Sequence, residues 1–451
     1  MNDQETFMKE RPVPGLVLSM AMPMMLSMLV NALYNIVDSY FVARIGEEAM
    51  TALSLVYPMQ NLISAVGIGF GVGIAAVISV ASGKSDAEEA DAAAAAGLFL
   101  SIVHGAVLTV LTIAVMPAFL KSYTSNALTY QYAIQYSTIA FLFSVLLNLQ
   151  IAMEKVYQAV GRMTTTMVCM LAGCIVNIIL DPVLIFGIGI FPQMGIAGAA
   201  LATGFGQSVP LVLYVIIYFV HPIPVTIRPE KLSLRVPMLS SLYGVGIPAT
   251  LNLALPSLMI SALNAILTAF SETCVLVLGA YYKLQTFLSL TTNGIIQGIR
   301  PLMGYNYGAQ EYARLKEIYR TALLMCACIM LAGMVLCLCV PGVLIGLFTT
   351  NPDTAALGAA ALRIICFGFL PSALSVTTSG ALEGMGMGMP SLVITALRYV
   401  IILVPAAFVF SRFLGASGVW AAFPAAEWVT AVVSYVLYRR KIRAAAHCET
   451  G

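Results

Sequence analysis

The chain has 451 residues, of which 60% are apolar and only 9% charged, with a net charge of +2 and a mean hydropathy of +0.94. A soluble globular chain carries about 25% charged residues, so this is the composition of a polytopic membrane protein. It leaves no room for a sizeable soluble catalytic or nucleotide-hydrolysing domain, and it gives no reason to expect a nucleic-acid partner.

The first twelve residues, MNDQETFMKERP, are polar, and no signal-peptide cleavage pattern follows them. Hydropathy then predicts twelve helices, at 15–41 (α1), 51–81 (α2), 93–117 (α3), 127–153 (α4), 162–188 (α5), 194–220 (α6), 240–268 (α7), 274–305 (α8), 318–348 (α9), 354–382 (α10), 390–411 (α11) and 416–438 (α12). Each reaches the ~20 residues that a bilayer crossing needs. Pro23, Pro182, Pro210, Pro248, Pro371 and Pro405 fall inside these spans. Membrane helices tolerate such residues as kinks because neighbours re-satisfy the freed carbonyls.

In α1, Asn31, Tyr34, Asn35 and Asp38 fall within an arc of about 100° at ~100° per residue, so they form one polar stripe. An ionisable group inside a membrane span is costly and is a functional-site candidate by default. In α5, Asn177 and Asp181 share a face at i,i+4. Pro182 follows and cannot donate to the carbonyl of Ile178. Carboxylates, an amide and a free carbonyl suit a proton or sodium site. Thr203 in α6 is a further oxygen donor. Two such carboxylates at close range share protons as a pair.

Loop charges predict the orientation. With the N-terminus in the cytoplasm, the inner segments carry 15 Lys and Arg residues and the outer loops 3, namely Arg44, Lys121 and Arg412. Both termini are then cytoplasmic.

The chain also repeats itself. Residues 56–86 align without gaps on 281–311 at an offset of 225, with Tyr57 on Tyr282, Gln60 on Gln285, Gly69 on Gly294, Gly73 on Gly298 and Gly83 on Gly308. Pro23 meets Pro248 at the same offset. At 220, Gly195 and Gly198 meet Gly415 and Gly418, and Gln207 meets Glu427. The expected fold class is therefore an all-α integral membrane protein of twelve transmembrane helices in two pseudo-symmetric six-helix bundles. These are 1–220 and 240–451, joined by a cytoplasmic linker, 221–239. Six is even, so the two halves are parallel. Asp38 and Asp181 meet Leu263 and Ala406 at offset 225. Neither acid is duplicated, which points to an ion site in the first half alone.

Several patterns carry less. The run GIGFGVG at 67–73 resembles a dinucleotide fingerprint, but in an apolar span small residues serve helix packing. The ASGKS of 81–85 lacks the first glycine of a P-loop, which would be Ile78. Cys326, Cys328, Cys337 and Cys339 point different ways around α9 and form neither a disulfide nor a metal framework. His104 is expected to serve packing or an interhelical hydrogen bond, and Glu154 and Glu383 to be solvated helix ends. Glu427 with Trp420 and Trp428 in α12 is an acid among aromatics, which suits an organic cation. With Gln60, Gln285 and Asn31, Glu427 and Trp420 are the expected substrate contacts.

The stretch Asn31–Gly46, the segment NIILDPVLIFG in α5, MGIAGAALAT at 194–203, YKLQTFLSLTTNGIIQGIRPLMGYNYGAQE in α8 and SLVITALRYVIILVP in α11 resemble the multidrug and toxic compound extrusion (MATE) family. The Asp–Pro of α5 and the lack of acids in α7 are similar to its DinF-like branch. The resemblance implies two bundles around a central cleft. It also implies antiport of cationic amphipathic drugs against H⁺ or Na⁺, with Asp38, Asn177, Asp181 and Thr203, joined by Asn35 and Tyr34, as the cation-coupling set. It implies no cofactor and no enzymatic activity, only a possible Na⁺ at Asp38 and Asp181. The protein is expected to be a monomer in the inner membrane. The alternative is a lipid-linked oligosaccharide flippase of the wider superfamily, which would need cleft-lining Arg and Lys for pyrophosphate, with Lys283, Arg300, Arg363 and Arg398 as the candidates within spans.

Overall fold

A computed structural model describes residues 3–447. Eleven helices are long and apolar enough to cross a membrane, and a bent pair makes a twelfth span. In order they are α1 (Val13–Ala43), α2 (Glu47–Gly83), α3 (Ala87–Tyr123), α4 (Ala127–Leu142 with Ser144–Ala159), α5 (Met163–Phe186), α6 (Ile196–Val220), α7 (Val236–Thr268), α8 (Glu272–Gly308), α9 (Tyr312–Cys339), α10 (Pro352–Gly384), α11 (Gly388–Leu414) and α12 (Ala416–Ala445). The all-α, twelve-span reading of the sequence is the observed fold.

Sequence and structure differ at helix ends and breaks. A short helix, Asp3–Glu10, occupies the polar N-terminus. Helix α9 stops at Cys339, and Pro341 opens a separate short helix, Pro341–Gly346. A proline at the first helical position starts a helix rather than continuing one. The break in α4 was not legible in the pattern. The two segments meet at 46° around Phe143, and no proline causes it. Instead the Thr109 hydroxyl of α3 donates to the Phe141 carbonyl at 3.0 Å. Gly105 lets the α3 backbone approach so closely that a Cβ there would lie 2.6 Å from Val145 Cα.

The repeat extends to such local features. Asn126 and Asn351, 225 residues apart, cap α4 and α10, each accepting from the backbone two and three residues on. The α4 break also has a counterpart, a 3₁₀ turn at Cys366–Gly368 inside α10.

The chain divides into two compact units, one holding Leu26–Ile247 and the other Glu5–Met25 with the chain from Pro248 onward. The units therefore differ from a simple cut at 220–240. The first half of α1 packs with the second repeat, and the first half of α7 with the first repeat. Close backbone approaches at glycines make both dockings possible. Gly298 of α8 faces Ala21, where a Cβ would lie 2.8 Å from Ala21 Cα, and Gly73 of α2 faces the Leu242 carbonyl and Gly246. These are one contact repeated, since Gly73 with Gly246 becomes Gly298 with Ala21 when each number shifts by 225. The GIGFGVG run thus serves packing, with Gly67 against Asn148 and Gly71 against Lys155.

His104 takes the second of the two roles expected of it. His104 Nε2 and the Tyr243 hydroxyl are 2.8 Å apart. All eight described cysteines are free, and Cys448 lies outside the described residues.

Helices α5 and α6 pack through Gly173, Gly198 and Gly206, and a Cβ on Gly198 would meet the Leu184 carbonyl at 2.5 Å. Backbone there cannot yield cheaply. Gly198→Leu is expected to lower the melting temperature in detergent by several degrees. Gly279→Leu, at a position with open space around it, should leave it unchanged. Equal melting curves for the two variants would show that the α5–α6 approach is not a tight constraint.

Candidate functional site

The α5–α6 approach fixes one wall of a polar cluster in the first unit. Asp181 is fully buried, Asn177 2% exposed and Thr203 7% exposed. Helix α1 brings Asp38 against Asp181, close enough for their carboxyls to interact directly. Tyr34 lies beside Asp38 and Asp181. Four of the six expected coupling residues, Asp38, Asn177, Asp181 and Thr203, thus stand in one cluster, with Tyr34 at its edge.

Asn35 does not join it. Its Nδ2 donates to the Asn31 carbonyl at 2.7 Å and to Asn31 Oδ1 at 2.9 Å. These two amides are spent on one another along α1, and no described interaction links either to the carboxylates. Spacing alone could not separate them from Tyr34 and Asp38, because all four share one stripe.

Buried polar atoms are almost always hydrogen-bonded. Among the described residues fourteen buried side-chain atoms have no partner, and six belong to this cluster: Asp38 Oδ1, both Asp181 oxygens, both amide atoms of Asn177, and Thr203 Oγ1. Five of the six are oxygens. Two carboxylates that face each other both accept and neither donates, so a proton or a small hard cation is the chemistry that satisfies them. No group of three or more His, Cys, Asp or Glu side chains suited to a metal occurs among the described residues.

The sequence reading missed Tyr136 of α4. It is 2% exposed, stands beside Asp38, Asp181 and Thr203, and accepts a hydrogen bond from Gln60 Nε2 at 3.2 Å. A signal was present, because its counterpart at offset 225 is Ala361. The asymmetry that marks the two acids marks Tyr136 as well. Gln60 and Thr203 also line a pocket with Ser64, Phe141, Ser144 and Gln207, so the α4 break opens beside the cluster.

The second unit handles its charges differently. Glu427 is not an unpaired acid. Arg398 Nε donates to its Oε1 at 2.6 Å, and Ser375 lies at 3.5 Å from Oε2. Trp420 is buried at 1% and Trp428 is 57% exposed. Seven residues along a helix is about 10 Å, so Trp420 sits two turns away in the core. The aromatic neighbours of Glu427 are instead Tyr282, Tyr399 and Phe423, with Gln285, in a pocket of this unit.

Glu154 and Glu383 are not solvated helix ends either. Glu154 is 8% exposed and Glu383 3%. Lys155 Nζ reaches Glu154 at 3.1 Å and Gln158 at 2.9 Å. Glu383 pairs with Arg300 and accepts from Asn252 at 2.7 Å and Ser391 at 2.9 Å. Each acid is buried because a cation and amide or hydroxyl donors come with it. Arg300 and Arg398 are therefore committed to carboxylates, and Lys283 lies 5.7 Å from the centre of the Phe348 ring. Two of the four basic residues named for a pyrophosphate thus have their charge cancelled by a carboxylate.

The MatE family model matches residues 23–183 and again 248–409. The two matches begin 225 residues apart, at the offset of the internal repeat. The chain belongs to the MATE family. It is thus a transporter rather than an enzyme. It is 26% identical to the multidrug export protein MepA of Staphylococcus haemolyticus (strain JCSC1435) over 453 residues, covering 98% of this chain and 97% of that protein. With MepA of Staphylococcus aureus (strain MSSA476) it shares 26% over 442 residues, 97% of this chain and 96% of the relative. Among solved structures, MATE in the bent conformation superposes with a TM-score of 0.93 at 25% identity over 100% of both chains. MATE in the straight conformation gives 0.90 at 25% identity, over 99% of this chain and 100% of that one. MATE transporters are ion-coupled.

Tyr136→Phe removes the hydroxyl that Gln60 donates to and leaves the ring. The variant is expected to keep the wild-type melting temperature while ion-driven transport slows severalfold. An unchanged rate would reduce Tyr136 to a packing residue.

Proposed function

We propose that the protein is a secondary active multidrug antiporter that exports cationic amphipathic compounds in exchange for H⁺. The observation that carries this reading is the concentration of unpartnered buried oxygens at Asp38, Asn177, Asp181 and Thr203 in one unit only. Full-length similarity to multidrug export proteins supports the substrate class.

When both carboxylates are charged they repel in a medium of low dielectric. One proton held between Asp38 and Asp181 removes the repulsion and supplies the missing donor. Sodium could do the same with about five or six oxygens around it. The second unit argues for the proton. The sodium-using branch is expected to keep a further cation site with acids in α7 and α10. Here α7 has none, and Glu383 of α10 already holds Arg300. The same two facts, with the Asp–Pro of α5, support the DinF-like branch. Coupling arises because α1 carries Asp38 in the first unit while its start, through Met25, belongs to the second. A change of charge at Asp38 acts on a helix that both units hold, and it shifts their equilibrium by its differential free energy.

The loop charges support an orientation in the cytoplasmic membrane with both termini inside.

Two measurements test these readings. In proteoliposomes, Asp38→Asn and Asp181→Asn are each expected to abolish dye efflux driven by a pH gradient without sodium, with insertion and folding intact. Efflux only under a sodium gradient at symmetrical pH, with a protonophore present, would overturn the proton and leave a sodium cage. Wild-type efflux by both variants would remove the acids from the mechanism.

For topology, single cysteines replace Lys84, Arg235, Lys121 and Arg412, all exposed, in a cysteine-free background. Impermeant reagents should label the last two from outside intact cells and the first two only after permeabilisation. The reverse pattern would invert the orientation.

A further inference from the structure

The ion cluster lies wholly in the first unit, but the second unit has a pocket of its own. Tyr282, Gln285, Arg398, Tyr399, Phe423 and Glu427 line it. The repeat relates it to the pocket at Gln60, since Gln60 maps to Gln285 at 225 and Gln207 to Glu427 at 220. Both halves keep an opening at this position, and only the second half puts an ion pair into it.

A guanidinium carries five N–H donors in a planar fork. Arg398 spends its Nε on Glu427. Among the described residues neither Nη group makes a hydrogen bond, and neither is among the fully buried unpartnered atoms, so both keep some exposed surface, and Arg398 is one of the residues lining the pocket. Unspent guanidinium donors on a residue only 8% exposed are a receptor for a planar anion, and a carboxylate can take both Nη groups together.

The local backbone is unusual at the same place. Leu397–Ile401 forms a π-helical turn inside α11. Such turns are rare, and frequently occur at functional sites. Here the turn carries Arg398 and Tyr399 side by side, with the guanidinium carbon 5.0 Å from the Tyr399 ring centre. Glu427 cancels the charge of Arg398, so the pocket is neutral overall and favours no free anion. It suits a compound that brings a carboxylate on an aromatic frame. Tyr282, Tyr399 and Phe423 offer ring faces to such a frame.

We propose that this pocket is a second binding subsite, in which the free Nη edge of Arg398 receives the carboxylate of aromatic amphipathic compounds. It assigns to Arg398 the recognition of the carboxylate in compounds that carry one. The binding claim stands on the pocket alone, and only its consequence for export rests on the antiporter reading.

The test uses the purified full-length protein and fluorescence anisotropy with a free-acid rhodamine and its methyl ester, which differ only in the carboxylate. Wild type is expected to bind the acid more tightly than the ester. The double variant Arg398→Gln with Glu427→Gln leaves no buried charge unpaired. It should lose about tenfold in affinity for the acid and stay within about twofold for the ester. Glu427→Gln alone frees the charge of Arg398 and should tighten the acid. Arg398→Lys keeps the ion pair and replaces the fork by a point charge, so it too should lose acid selectivity without risk to folding. An acid-to-ester ratio that is the same in wild type, the double variant and Arg398→Lys would overturn the proposal. Gradient-driven efflux of the ester by wild type, measured separately, reports on the antiporter reading and fails independently of these binding ratios.

Discussion

A charge inside a hydrocarbon-embedded helix bundle must find a partner, because burial without one costs several kcal/mol. Four largely buried acids among the described residues meet that constraint within the chain, Asp91 through Lys231 at 4.0 Å and the Thr226 N–H at 2.6 Å. Glu154 has Lys155, Glu383 has Arg300 and Glu427 has Arg398. Removing one partner of such a pair costs about 3–5 kcal/mol, so these pairs are fixed parts of the fold. Asp38 and Asp181 are the exception, for they have each other and no cation of the chain. The proposed ion site rests on this difference between partnered and unpartnered acids.

Much of this was legible in the sequence, and the reasons are physical. Spans show because hydrocarbon demands long apolar helices. The repeat shows because glycines at close helix approaches leave no room for a side chain, so Gly73 and Gly298 sit where backbones touch. Asp38 and Asp181 stand out because carboxylates are rare in such helices and neither is duplicated. What failed was partnership across the sequence. Nothing near Glu383 announces Arg300, 83 residues away, and Glu427 reads as unpaired until α11 is folded beside α12. The break in α4 was equally hidden, since its cause is a threonine on α3.

The two units keep similar frameworks and differ in charge. Caps, helix breaks and glycine contacts recur at the repeat offset, as Asn126 and Asn351 illustrate. The buried charges do not recur. At offset 225 Gly71 becomes Ile296 and Lys155 becomes Gly380, and the pairs meet in each unit with large and small exchanged. Packing volume was preserved while a charge was dropped from one side. A duplicated scaffold can diverge in this way, the first unit holding an unpartnered carboxylate pair beside its own Glu154–Lys155 pair and the second showing only paired buried acids among its described residues.

The exchange of half-helices has a consequence for origin. Each repeat gives the first half of its first helix to the other, through the same glycine-lined seat. Two copies of a six-helix protein trading those segments would form a domain-swapped homodimer with parallel subunits, and such a swap can be made without new contacts. Joining the copies through 221–239 would turn that dimer into a single polypeptide and make the swap permanent. Neither half, cut free at that joint, would retain the segment that fills its own seat.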